Sequence, residues 1–170
     1  MLEVDLRDLA RGPVETRGVL AADDPVLLGT ETVLARPVAI TGRLQAAGEG
    51  RFYWHGRLQA VVAAECRRCL APVTVPLAVE IGALFSQEPG AADDPETYPV
   101  ERDAGTIDVR GAVREELILA LPKYVVCRED CRGLCPRCGK DLNAGPCGCT
   151  ATATDTRWQA LAALKDKFRD

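Results

Sequence analysis

Apolar and polar residues alternate with period two along three stretches of the chain. Val38, Ile40 and Leu44 alternate with Ala39, Thr41, Arg43 and Gln45, and Ala46-Ala-Gly-Glu-Gly50 supplies a turn. The next strand runs from Arg51 to about Glu65. It places Phe52, Trp54 and Leu58 on one side and Arg51, Tyr53, His55 and Arg57 on the other. A turn at Cys66–Cys69 reverses the chain. Val73, Val75, Leu77, Val79 and Ile81 then face away from Thr74, Pro76, Ala78 and Glu80, with Pro76 marking an edge strand or a bulge. The phrase Gly-Arg-Leu-Gln-Ala occurs at 42–46 and again at 56–60, too few copies for a repeat architecture.

The period then changes. Thr106–Asp108 reads as a short extended piece, with Asp108 placed to cap a helix. Val109, Val113, Leu117 and Leu121 fall on one helical face, and Pro122 ends the helix. A last helix is expected from about Asp155, with Trp158, Leu161, Leu164 and Phe168 along one stripe as core or docking surface. Between the two patterns, 86–104 holds three prolines, six acids and almost no aliphatics, which reads as a mobile linker. The stretch 21–25 reads as a further loop. The expected fold is α+β: antiparallel β-structure with two helices and a Cys-rich zinc-binding segment. Its parts are a β-rich region 1–85, an acidic flexible linker 86–104, and 105–170 with the helix, the Cys block and the C-terminal helix.

Composition changes this picture in two places. The net charge of −4 argues against a uniformly basic nucleic-acid binder, although the acids gather in 1–35 and 86–104 and leave the patterned segments positive. Eight cysteines in 170 residues suggest either disulfides or metal. Met1-Leu-Glu-Val-Asp-Leu-Arg-Asp8 has neither the basic nor the apolar region of a secretory leader, and no apolar run approaches a membrane span. The expectation is therefore a cytoplasmic protein with reduced thiols, where x2-spaced cysteine pairs favour zinc.

Six of the cysteines fall in one short block. Cys135-Pro-Arg-Cys138-Gly139 is a metal knuckle, in which Gly139 permits the positive φ that turns amides toward sulfur. With a single histidine, His55, in mid-strand, all-sulfur coordination is expected. Cys147 and Cys149 can supply the other two ligands. Cys127 and Cys131 can replace one of these pairs, or complete a second site with Cys66 and Cys69. Unliganded thiols in a tight turn are the plain alternative for Cys66 and Cys69. Four thiolates around Zn2+ carry net −2, so the loaded block does not attract phosphate by bulk charge and reads as a structural staple.

The order of motifs has a further meaning. Glu65-Cys-Arg-Arg-Cys-Leu70, the acidic linker, Ile107-Asp108 and Val113-Arg-Glu-Glu-Leu-Ile-Leu-Ala-Leu-Pro122 are followed by the Cys127–Cys149 block, with Gly-Leu-Cys-Pro-Arg-Cys-Gly-Lys-Asp-Leu-Asn143, and by Asp155-Thr-Arg-Trp158. From about Gly42 to Leu164 this resembles the YceD family, the large ribosomal RNA subunit accumulation proteins. Residues 1–35 add little to the likeness. Members commonly carry Asp-Pro-Arg where this chain has Asp155-Thr156-Arg157. Some members keep the first cysteine pair without the downstream block, which implies separable clusters. The resemblance implies a role in large-subunit ribosomal RNA accumulation, with ribosomal RNA or a ribosomal protein as partner.

The stripe Arg51, Tyr53, His55 and Arg57 mixes guanidiniums with flat rings and suits phosphate pairing and base stacking, with Arg67 and Arg68 adding charge. A solvated polar face of a half-buried sheet explains the same residues. Catalysis is not expected. No Ser-His-Asp set, phosphate-cradling Gly loop or His-Glu-x-x-His is present, and Glu115 and Glu116 point apart on their helix. Neither a small-molecule substrate nor a membrane is expected. The reading from another class is a thiol redox or metal-handling protein.

Overall fold

The computed structural model describes residues 1–29 and 33–149. Three long strands make its centre: β3 (Val33–Gly48), β4 (Arg51–Glu65) and β5 (Pro72–Ser86). Each pairs antiparallel with the next, in the register that the alternation requires. Val38, Ile40, Leu44, Trp54, Leu58 and Ile81 all point to one face and are fully buried. Pro37 lies where the β3–β4 register slips, and Pro76 lies where β5 has a neighbour on one side only, so neither ring costs a ladder hydrogen bond.

The N-terminal region supplies more than its pattern promised. β1 (Glu3–Asp5) leads into a short helix α1 (Leu6–Leu9), and β2 (Val14–Leu20) pairs antiparallel with β3 as the sheet edge. Leu2, Val4, Leu9, Leu20 and Leu27 all enter the core. β1 pairs with β7 (Thr106–Asp108), which follows the acidic segment, so Val4 and Ile107 are neighbours and both are buried. Regions 1–85 and 105–149 thereby share one hydrophobic cluster. Helix α2 (Arg110–Leu119) adds Ala112, Val113 and Leu117 to it. Asp108 Oδ1 accepts from the Arg110 amide at 2.9 Å, although Val109 is the residue at the cap.

Residues 86–104, expected as a flexible acidic linker, contain two short elements beside the sheet. A 3₁₀ turn at Ala91–Asp93 precedes β6 (Thr97–Pro99), which pairs parallel with the end of β5. Tyr98 packs on Phe85 with ring centroids 5.2 Å apart, and its hydroxyl donates to Glu115 at 2.6 Å. One aromatic residue at the right register supplies the contact that the acid-rich composition hides. The sheet order is β2-β3-β4-β5-β6. The helix expected from Asp155 lies outside the described residues. No helix among the described residues is long and apolar enough to cross a membrane.

Trp54 sits at the centre of the core. Its Nε1 donates to Thr16 Oγ1 of β2 at 2.9 Å, which satisfies both buried polar groups. The indole lies over the paired glycines Gly42 and Gly56. A Cβ on either would fall 2.6 Å and 2.3 Å, respectively, from ring atoms of Trp54.

Candidate metal centres and an exposed sheet face

The β4–β5 hairpin ends in the turn Cys66-Arg-Arg-Cys69. Its geometry matches that of the downstream knuckle. The Leu70 amide donates to Cys66 O at 2.8 Å, and the Gly139 amide donates to Cys135 O at 2.9 Å. The residue after each second cysteine has a left-handed backbone, at φ 60° for Leu70 and 72° for Gly139. Glycine adopts this conformation freely, while leucine is strained in it.

The cysteines gather as two groups of four. Cys66, Cys69, Cys127 and Cys131 form one, and Cys135, Cys138, Cys147 and Cys149 form the other. Within each group all sulfurs lie within 4.8 Å of one another, and all eight thiols are free. The first group therefore draws on both sequence clusters, which is one of the pairings that the spacing left open. Four sulfurs about 2.3 Å from one metal ion form a tetrahedron with edges of about 3.8 Å. The Cys66–Cys131 and Cys69–Cys127 sulfur distances are 3.8 Å and 3.7 Å. Each group could hold a metal ion in a closed all-sulfur shell.

Local electrostatics fit that role. Burial pushes the Cys66 thiol up, but hydrogen bonds from the backbone of Cys127, Cys69 and Arg68 outweigh it and bring the pKa down to about 6. At Cys135 the backbone of Arg137 and Cys138 does the same, again to about 6. The opposite happens at the far side of each group. The hydrogen bond with Cys131, and then burial, push Cys127 up to about 12, and the hydrogen bond with Cys138 pushes Cys149 up to about 12. Four thiols this close cannot all ionise on their own, and a divalent cation removes that obstacle.

Hairpin tip and Cys block are tied together by backbone contacts. The Arg67 amide donates to Val125 O at 2.9 Å, and the Leu134 amide to Arg68 O at 2.9 Å. Arg68 Nη1 donates to Glu129 O and to Cys131 O, both at 2.9 Å. Arg67 stacks on the exposed Tyr124 ring, 4.6 Å from its centroid, and its Nη1 donates to Lys123 O at 3.3 Å. The structure thus gives both arginines, which sequence reasoning assigned to nucleic acid, contacts that hold the Cys block.

Sequence reasoning missed two residues of this region. Gly133 has φ 71°, and a Cβ there would lie 2.7 Å from Arg68 O. Asn143, inside the Cys138–Cys147 excursion, donates from Nδ2 to Cys131 Sγ of the other group at 3.5 Å. Its one available signal was a polar residue between two ligand pairs.

The stripe Arg51, Tyr53, His55 and Arg57 is exposed on the outer face of β4. Its arginines have partners: Arg51 meets Glu88 at 2.5 Å and Arg57 meets Glu80 at 3.4 Å, and His55 Nε2 lies 4.0 Å from the same Glu80 carboxylate. Arg43 beside them meets Glu15 at 3.8 Å. The phenol end of Tyr53 lies over Gly82, where a side chain would collide with it.

The chain is similar to several known proteins. An uncharacterised protein of Mycobacterium tuberculosis is 33% identical over 145 residues, which cover 82% of this chain and 69% of the relative. The same figures hold for a Mycobacterium bovis protein. A Mycobacterium leprae protein is 31% identical over 146 residues, 81% of this chain and 64% of its own. No solved structure matches the chain. The family described as large ribosomal RNA subunit accumulation protein YceD matches residues 54–165, from the central tryptophan through both halves of the cysteine clasp and beyond, and the chain belongs to that family.

Proposed function

We propose that this protein is a non-enzymatic cytoplasmic factor that supports large-subunit ribosomal RNA accumulation and ribosome assembly by binding. The observation that carries this reading is the family membership, whose name states the process. Both four-sulfur groups are read as structural zinc sites. Cys66, Cys69, Cys127 and Cys131 would hold one ion, and Cys135, Cys138, Cys147 and Cys149 the other. Zinc there supplies folding energy and no open coordination position. A dithiol redox switch needs only two converging sulfurs, and convergence of four on one centre favours metal.

The partner is read as ribosomal RNA on the outer face of β4. A phosphate there has to displace Glu88 or Glu80 from its arginine, so bulk charge contributes little and Tyr53 carries the contact. Tyr53→Ala is expected to weaken RNA binding by about 1–3 kcal/mol. Arg51→Ala and Arg57→Ala should reduce the salt dependence of binding while leaving the fold intact. Trp54→Ala removes a buried ring and should cost about 3–5 kcal/mol of stability. Affinity for ribosomal RNA and thermal stability of the four variants, measured side by side, test this assignment. Unchanged affinity in the three surface variants would move the partner from RNA to a ribosomal protein. Crosslinking in cells followed by sequencing of attached RNA tests the function itself.

A further inference from the structure

The two four-sulfur groups meet at one side chain. Asn143 belongs to the loop that joins Cys138 to Cys147, yet its amide nitrogen donates to Cys131 Sγ of the other group at 3.5 Å. The rest of the carboxamide is also fixed. Oδ1 accepts from the Arg132 amide at 2.8 Å and from Arg128 Nη2 at 2.9 Å. Nδ2 and the Asn143 amide both donate to Asp141 Oδ1, at 2.7 Å and 2.8 Å. Donors meet acceptors at every contact, so the amide has one chemically consistent orientation, with its N–H toward sulfur.

The loop carrying Asn143 is held by the group it belongs to. The Cys135 amide donates to Lys140 O at 2.8 Å, and Lys140 Nζ donates to Pro146 O at 2.9 Å. Leu134 and Asp141 form an isolated antiparallel bridge, and the Leu142 amide donates to Gly133 O at 2.9 Å. The loop has little apolar content to order itself, so closure of Cys135, Cys138, Cys147 and Cys149 around an ion must shape it.

We infer that Asn143 is a positioning residue that couples the two sites, so that metal in the Cys135 group raises the metal affinity of the Cys66 group. The inference rests on the metal reading above. Its physical basis is the N–H···S bond, which stabilises the Cys131 thiolate and is delivered only when the Asn143 loop is closed. The coupling is reciprocal, so loading the Cys66 group also favours closure of the loop.

The test titrates Co2+ alone into the reduced full chain, with native mass spectrometry to count ions and the thiolate-to-cobalt absorption to measure affinity. The wild type should pass from no ions to two with little one-ion species. Asn143→Asp keeps the oxygen for Arg132 and Arg128 but loses the donor to sulfur, and with it the Nδ2 bond to Asp141 within the loop. It should accumulate a one-ion species and bind the Cys66 group about 10–100-fold more weakly. In a Cys66→Ser background, Asn143→Asp should leave the affinity of the Cys135 group unchanged, which shows that the loop still folds. Cys135→Ser should weaken the Cys66 group as much as Asn143→Asp does, and the two changes together should add nothing further. Two ions bound with unchanged Cys66-group affinity in Asn143→Asp would overturn the coupling alone. Equal loss at both groups would reduce Asn143 to a loop-folding residue and overturn it too. Absence of any uptake by the wild type would overturn the metal reading along with it.

Discussion

The two cysteine groups have the same chemistry and opposite construction. The Cys135 group closes within the stretch from Cys135 to Cys149, and its Cys138 and Cys149 are exposed. The Cys66 group joins partners 58 and 65 residues apart, and its Cys66 and Cys131 are buried. A local group shapes the chain that it contains. A distant group decides which parts of the molecule touch. The first makes a small folded block, and the second clasps that block to the tip of the β4–β5 hairpin. Equal ligand sets therefore stabilise different things.

Removing one ligand from each group separates these roles most sharply. Structural zinc in blocks of this size contributes about 10–16 kcal/mol of apparent binding energy, so either loss should be large. Cys66→Ser is expected to release one ion and detach 123–149 from the hairpin while the local group stays loaded. Limited proteolysis should then cut between α2 and Cys135, with the sheet intact. Cys135→Ser should release its own ion and abolish amide protection across 133–149. If both variants lose protection over the same residues, the contrast between clasp and local fold is wrong.

Smaller effects follow from the glycines. Gly133→Ala meets both a left-handed backbone and the Arg68 carbonyl at 2.7 Å. It should cost about 1–3 kcal/mol and lower the chelator concentration at which the clasp opens. Gly139→Ala meets the same backbone penalty and has open space around it, so it should cost about 1–2 kcal/mol, felt by the local group. Leu70→Gly reverses the sign. It relieves the strained residue that follows the first knuckle and should raise the thermal midpoint slightly, by no more than about 1 kcal/mol in stability. A lowered midpoint would mean that the leucine side chain contributes more than its backbone costs.

The same local-against-distant distinction decides what the sequence could reveal. The alternation at Val38–Leu44, Phe52–Leu58 and Val73–Ile81 reports which face of a strand turns inward, and the structure buries Val38, Ile40, Leu44, Trp54, Leu58 and Ile81 while Phe52, Val73, Val75, Leu77 and Val79 of the same faces are half-buried. The Cys135 knuckle was legible because spacing and Gly139 fall within five residues. Pairing of β1 with β7, across about a hundred residues, has no such local mark. Val4 and Ile107 are one apolar side chain each in short polar stretches. The same holds for β6, where Tyr98 alone among acids and prolines finds Phe85. The joining of Cys66 and Cys69 to Cys127 and Cys131 stood among several pairings, because thiol count allows it and chain distance hides it. Asn143 is distant in another sense: its contact crosses from one ligand set to the other.

The slot around Trp54 reaches beyond stability into descent. Gly42 and Gly56 face each other across β3 and β4, and the indole fills the space that two side chains would occupy. Each glycine is followed two residues later by a buried leucine, Leu44 and Leu58. The ring thus accounts for the glycine that opens each copy of the phrase at 42–46 and 56–60. None of the three positions is free to vary alone. A side chain regained on either strand excludes the indole, and a smaller ring leaves a void that only new bulk at 42 or 56 can fill. Relatives of this chain should therefore change tryptophan and glycines together or keep all three.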